Sequence, residues 1–230
     1  MGFLGSKYHI HWYDPFPIPS HAHSLLSLYS LWLTDHSDRA CTKPTGGDDL
    51  TPKLWDIRAL SSAVSPSDSR PPTPASTNRR TFSAGVTFIQ ASPHQPGKLA
   101  VGSYDSTVRI FDARNLMRPV CEADVGGRAW TVMFHPSSVR GRAREVLVGD
   151  MHAGCRVVRF GRDVMGGDDD GDTEGNEVDP WRIANRFEKH GSMDYGVDWS
   201  YKGVHSVSGA RETFVGSCSF YDHVLHLWQG

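Results

Sequence analysis

The chain has 230 residues, 38% of them hydrophobic and 22% charged, with a formal net charge of −2; that length buries a sizeable core as one domain with appendages, and a charge so close to neutral excludes a general binder of nucleic acid or of anionic membrane. The four cysteines, Cys41, Cys121, Cys155 and Cys218, are scattered without a CxxC pair, which argues against a disulfide or metal framework and for reduced thiols inside the cell. The longest apolar stretch, Leu25 to Leu33, is interrupted by serines and a tyrosine and is too short to cross a bilayer, so a soluble cytoplasmic protein with no cofactor and no metal is expected.

Residues 1–45 carry His9, His11, His21 and His23 among several aromatic residues, but in no repeat register and at no metal-ligand spacing. They are expected to be a degenerate or unfolded segment. From residue 46 a repeat begins. In Gly46–Asp56 the turn acid Asp49 precedes Lys53-Leu54-Trp55; in Ser103–Phe111, Asp105 precedes Val108-Arg109-Ile110-Phe111; in Ser219–Trp228, Asp222 precedes Leu225-His226-Leu227-Trp228. Each copy is an acid in a turn followed by a short alternating strand with an aromatic near its end, the closing half of a WD-type propeller blade. A second register marks the opening half: Ile89-x-Ala91-Ser92-Pro93, Val132-x-Phe134-His135-Pro136 and Val197-x-Trp199-Ser200-Tyr201 alternate apolar positions and end in turns. Ser92 and His135 lie 43 residues apart, close to the roughly 40–45 residues of a four-stranded blade. His135 and Ser200 lie 65 apart because Gly166–Asp179, with seven acids and almost nothing apolar, intervenes. That segment cannot pack and predicts a disordered loop, as does the Ser- and Pro-rich stretch 61–80. The blade ends Trp55, Phe111, Val158 and Trp228 predict an all-β, incomplete propeller over 46–230, with about three full blades and part of a fourth.

Read in order, the segments Leu54-Trp55-Asp56-Ile57-Arg58, Gly126-Gly127-Arg128-Ala129-Trp130, Met151-His152-Ala153-Gly154, His190-Gly191-Ser192-Met193-Asp194-Tyr195-Gly196 and Ser217-Cys218-Ser219-Phe220-Tyr221-Asp222-His223 resemble the WD-repeat diphthine methylesterases, also called diphthine methyltransferases. The resemblance covers 46–230 apart from the two insertions. It implies a carboxylic ester hydrolase of diphthamide biosynthesis. The substrate would be the methyl ester of methylated diphthine, a modified histidine of translation elongation factor 2, and the products methanol and diphthine. That protein substrate is the expected partner, with no direct contact to nucleic acid or membrane. Members of the family carry further blades at the N-terminus that have no counterpart here, so a shortened member is expected. A non-catalytic scaffold and an inactive fragment stay open, because fold does not by itself imply chemistry.

Ester hydrolysis needs a nucleophile, a base and donors for the oxyanion. The G-x-S-x-G elbow of common esterases is absent, leaving histidines, acids and tyrosines on loops. Aligning Cys155-Arg156-Val157-Val158 with Val108-Arg109-Ile110-Phe111 places His152 where the other copies have Asp49, Asp105 and Asp222. His152 is thus a candidate general base, weighed evenly against a plain turn residue. Asp194 and His223 join it as candidate catalytic groups, and Arg128, Trp130, Tyr195 and Tyr221 as a candidate substrate-binding face. His190 stands ten residues before Ser200, the spacing of a blade-opening histidine. It and the turn acids Asp49, Asp105 and Asp222 are read as structural.

Overall fold

A computed structural model describes residues 42–56, 58, 73–136, 139–166, 179–201, 204–205 and 211–230. Strands β1 (Thr42–Thr45), β2 (Lys53–Asp56) and β3 (Ser76–Thr77) form a first sheet. The second contains β4 (Val86–Ala91), β5 (Lys98–Ser103), β6 (Thr107–Asp112) and β7 (Cys121–Asp124), and the third β8 (Ala129–Phe134), β9 (Glu145–Asp150), β10 (Gly154–Phe160) and β11 (Trp181–Phe187). After β12 (Asp194–Trp199) a small hairpin of β13 (Val204–His205) and β14 (Arg211–Glu212) intervenes before β15 (Phe214–Ser219) and β16 (Leu225–Gln229) complete a fourth sheet. Strands within each sheet pair antiparallel in chain order. The result is an incomplete β-propeller, its strands divided between two four-stranded sheets and two flanking three-stranded ones. No helix among the described residues is long and apolar enough to cross a membrane.

Apolar side chains fill the spaces between successive sheets. Val132, Phe134, Val146 and Val148 of the third sheet pack with Ala100, Val108 and Ile110 of the second. Leu147 and Val157 meet Val197, Trp199, Val215 and Trp228 of the fourth, and Leu54 of the first sits against Val86, Ile89 and Phe111. The approach is gauged by glycine. A Cβ on Gly102 of β5 would lie 2.7 Å from Val132 Cγ2, and one on Gly149 of β9 2.9 Å from Val197 Cγ1. These partners are each the fourth residue of the next innermost strand. A side chain larger than hydrogen would push that strand away.

The innermost strands also share an irregularity. Register shifts fall between Val86 and Phe88, Ala129 and Thr131, and Asp194 and Gly196, so Thr87, Trp130 and Tyr195 are extra residues in equivalent bulges. A bulge breaks the two-residue alternation and re-aims the side chain it carries. Hydrogen bonds tie the strands across sheets: Thr87 donates to the Ala129 carbonyl, and Thr131 Oγ1 donates to the Tyr195 carbonyl at 3.3 Å.

Two expectations meet the structure at their edges. The Ser- and Pro-rich stretch 61–80 was expected to be unstructured throughout, yet its last residues fold. Ser76 and Thr77 pair with Leu54 and Lys53, and buried Asn78 donates to the Leu116 carbonyl at 2.7 Å while accepting from Arg80 N at 3.0 Å. One amide side chain there satisfies a turn that composition alone reads as loose. Residues 61–72 lie outside the described residues, as do 167–178 of the acidic loop. Of the segment 1–45, Thr42–Thr45 pairs with β2 and 1–41 is outside the description.

Replacing Gly102 with Val is expected to lower unfolding stability by about 1–3 kcal/mol through overpacking. The check is a shift of the urea midpoint with an unchanged slope; an unshifted midpoint would mean that the second and third sheets are not in this contact.

Candidate functional site

In the first two sheets the turn acid serves the base four residues later. Asp49 accepts from Lys53 Nζ at 2.5 Å, and Asp105 takes Arg109 Nη1 at 3.0 and 2.9 Å while also accepting from Thr107 Oγ1 at 2.5 Å. Both carboxyls are held below the usual range: burial alone would raise them, and the Lys53 and Thr51 bonds at Asp49, and Thr107 and Arg109 at Asp105, outweigh it. Asp222 of the fourth sheet accepts from the Ser219 hydroxyl, Gly191 N at 3.1 Å and Val224 N at 3.4 Å. These bonds keep it ionised, with Ser219 contributing most.

The third sheet departs from the pattern. His152 occupies the turn position and is exposed. The acid has moved back to Asp150, which is fully buried and accepts the amides of His152 and Ala153 at 3.3 Å each. Its other oxygen has no hydrogen-bond partner, and burial pushes the carboxyl up against those two amide bonds. Arg156, the base four residues on, therefore has no turn acid. It pairs instead with Glu188 of the following loop at 2.8 Å, and its buried Nε lacks a hydrogen-bond partner. His152, Ala153, Gly154, Arg156, Glu188, His190 and Ser192 line a shallow depression of about 290 Å³ between the third and fourth sheets.

Beneath the depression lies a buried polar network. The His190 side chain is only 1% exposed; its Nδ1 lies 2.9 Å from Ser219 Oγ and its Nε2 2.8 Å from Ser217 Oγ. Ser217 in turn accepts from Trp228 Nε1 at 3.1 Å. Asp194 Oδ1 approaches His190 Nε2 at 3.1 Å, and the Cys155 thiol donates to Asp194 Oδ2 at 3.6 Å. Burial depresses His190, aided by His226. Burial likewise drives the Cys155 thiol up, so it is no thiolate nucleophile, and pushes Asp194 up to about 7. One ligand atom each from Cys155, His190 and Asp194 falls within 4.8 Å of the others. That donor set is able to hold a cation only by displacing the serine hydroxyls from the imidazole.

A row of rings borders this end of the sheets. Tyr104 lies 5.8 Å from Trp130, Trp130 5.5 Å from Tyr195, Tyr195 5.8 Å from Phe220 and Phe220 5.0 Å from Tyr221, centroid to centroid. Ser192 joins the row to the depression, since its hydroxyl accepts from Tyr221 N at 3.2 Å.

The structure thus gathers Trp130, Tyr195 and Tyr221 on one surface, with Arg128 exposed two residues before Trp130. Asp194 and Tyr195, read from sequence as loop residues, open strand β12. Asp194 is 1% exposed and reaches the depression only through His190. His223 is outside the depression's lining, in a turn with a left-handed φ of 56°. His226 packs against the rings of Phe187 and His190. Sequence reasoning missed Arg156, Glu188 and Asp150. A signal for Arg156 existed: the Asp-x-x-x-Lys/Arg spacing of Asp49–Lys53 and Asp105–Arg109 is broken at His152–Arg156.

Two predictions follow from this geometry. His190→Ala removes one hydrogen-bond partner from each of Ser217 and Ser219 and is expected to cost about 1–3 kcal/mol in urea unfolding, while exposed His152→Ala stays within about 0.5 kcal/mol of the parent. Equal losses would contradict the division of roles. Asp194 binds its proton more tightly folded than unfolded, so its contribution to stability falls as pH rises from about 4 to about 7. Asp194→Asn is expected to flatten that decline in urea midpoints; parallel profiles would show a carboxyl that is not held protonated.

No family model matches the chain. Individual relatives do. It is 31% identical over 186 residues to the diphthine methyltransferase homolog of Dictyostelium discoideum, covering 80% of this chain and 45% of that protein. The diphthine methyltransferase of Mus musculus is 28% identical over 181 residues, 79% of this chain and 31% of its own length, and that of Saccharomyces cerevisiae 26% identical over 205 residues, 80% and 44%. The chain therefore spans less than half the length of these relatives. Among solved structures, a chain of the mitotic checkpoint complex matches with a TM-score of 0.54 at 15% identity, over 83% of this chain and 46% of that one, a likeness of fold alone. The recurrence of one name across these relatives supports the chain's membership of the diphthine methyltransferase family.

Proposed function

We propose that the protein acts in diphthamide biosynthesis as a carboxylic ester hydrolase, removing the methyl group from methylated diphthine on translation elongation factor 2. The relatives' names support an enzyme acting on diphthine. One structural observation carries the chemistry: where the first two sheets pair a turn acid with the base four residues later, the third sheet exposes His152 beside a depression whose lining includes Arg156, paired there with Glu188.

An imidazole titrates near neutrality and takes a proton from water at physiological pH. As His152 accepts that proton, the water oxygen bonds to the ester carbonyl carbon and negative charge moves to the carbonyl oxygen. Arg156, which lines the depression, and Arg128, exposed in the loop before β8, are the candidate cations for that oxyanion. Collapse breaks the carbon–methoxy bond, the imidazolium returns its proton to methoxide, and methanol leaves while the new carboxylic acid loses its proton to solvent. Asp194 acts from below by positioning His190, which borders the depression. His223, in the neighbouring turn, is the second histidine for which a proton role is tested. A substrate on a translation factor places the protein in the cytoplasm.

The experiment follows methanol release and methyl loss by mass from methylated-diphthine elongation factor 2. Turnover by the parent, a roughly 100-fold loss in His152→Ala and near-parent turnover in His223→Ala are the expected results. Full turnover in His152→Ala removes the base assignment, and binding of the factor without methanol release replaces the esterase with a scaffold.

A further inference from the structure

Three side chains of different chemistry converge beneath the depression, and no CxxC-type spacing announces them because they come from two sheets. Cys155 is the second residue of β10 in the third sheet, Asp194 the first of β12 in the fourth, and His190 stands in the loop before β12. Cys155 is fully buried, and the side chains of His190 and Asp194 are each 1% exposed.

Hydrogen-bond polarity fixes what the imidazole offers. The Ser219 hydroxyl donates to Asp222, so its oxygen accepts from His190 Nδ1–H at 2.9 Å. The ring proton is therefore on Nδ1, and Nε2 keeps its lone pair. Nε2 faces Asp194 Oδ1 at 3.1 Å, and Oδ1 is buried without a hydrogen-bond partner. The other oxygen, Oδ2, lies 3.6 Å from Cys155 Sγ. Sulfur, nitrogen and oxygen lone pairs thus point at one place. A proton on the carboxyl satisfies one pair of these atoms, whereas a divalent cation satisfies all three.

The spacing suits zinc. Tetrahedral bonds near 2.3 Å to sulfur and 2.0 Å to nitrogen and oxygen put ligand atoms roughly 3.3–3.5 Å apart, close to the 3.1 and 3.6 Å seen here. Because each ligand atom lies within 4.8 Å of the others, the widest gap closes by at most about 1.3 Å. A thiolate and a carboxylate against a dication sum to zero, so the buried centre carries no net charge. His190 and Ser192 line the depression above, which supplies the path from solvent.

We propose that Cys155, His190 and Asp194 bind a thiophilic divalent cation of the zinc class. Of the two serine hydroxyls on the imidazole, only that of Ser217, 2.8 Å from Nε2, gives way, and its oxygen becomes a neutral fourth ligand. On binding, the thiol and the carboxyl give up the protons they hold to solvent. The cation joins the third sheet to the fourth beneath the depression. The site does not depend on the ester reaction, since it is read by metal and not by turnover.

The test strips the full chain with a chelator, dialyses it and titrates it with Co2+ and then Zn2+. A thiolate-to-cobalt absorption band that saturates at one equivalent, its displacement by zinc and a higher urea midpoint with zinc are expected. Mg2+, a hard cation, is expected to change neither reading. Histidines elsewhere in the chain give no sulfur band. Cys155→Ala is expected to lose the band and to weaken zinc at least roughly a hundredfold, since even an outer-shell partner is worth about 10–100-fold. Cys218→Ser, at an exposed cysteine, is expected to keep both. Should Cys155→Ala unfold, Asp194→Asn carries the zinc comparison, with its fold checked by the urea midpoint in chelator. No sulfur band in the parent, a band that persists in Cys155→Ala, or zinc affinity unchanged in Asp194→Asn overturns the proposal. Zinc uptake without methanol release removes the ester reading and leaves the metal site standing. Methanol release by a chain that takes up no zinc does the opposite.

Discussion

Consecutive sheets can stack only if their inner strands come close, and in this protein that closeness is set by hydrogen-sized residues. Gly102 and Gly149 each clear space for the fourth residue of the next inner strand, and Gly46 for Val86, the first residue of β4. The hydroxyl of Thr87 and that of Thr131 then tie neighbouring inner strands across the gap. Because each sheet contacts mainly the sheets before and after it, this spacing propagates along the array. It brings the loops of adjacent sheets within reach of one another. The depression between the third and fourth sheets and the row of rings both depend on it.

Within that frame, the fourth sheet is locked by a polar network and the third is left chemically open. His190, Ser217 and Trp228 are bonded in sequence from the loop before β12 across β15 and β16, with the imidazole shielded from solvent. Asp194 and Cys155 add a carboxyl that burial pushes up to about 7 and a thiol that burial keeps protonated. Such a network is costly when partly satisfied and specific when complete. The histidine at its centre is therefore held neutral and in one orientation, which suits a positioning group better than one that must exchange protons with a substrate.

The third sheet shows how a repeat yields a site. Asp105 and Arg109 are a nearly buried pair, and separating such partners leaves a charge to be satisfied elsewhere. With His152 in the turn, Arg156 turns to Glu188, a residue 57% exposed, while the arginine side chain itself stays 6% exposed, as that of Arg109 does. The substitution that removes the repeat's own ion pair is the same one that supplies an exposed imidazole.

Much of the architecture was written in short-range pattern. The Asp49, Asp105 and Asp222 turns, the strands that follow them and the ten-residue step from His190 to Ser200 depend on alternation and hydrogen bonding among neighbours in the chain, and local chemistry specifies those. The folding of Asn78 within a Ser- and Pro-rich stretch was not legible, because its partner Leu116 lies 38 residues away. Nor were the bulges that lift Trp130 and Tyr195, since a bulge is defined by how many residues of a strand oppose its partner and not by the strand alone. Sequence by itself determined the repeat, the strand order and the exception at His152. Only the tertiary structure decided that Cys155, His190 and Asp194 share one buried cluster and that rings from three sheets form one surface, because those neighbours are set by the stacking of one twisted sheet on the next.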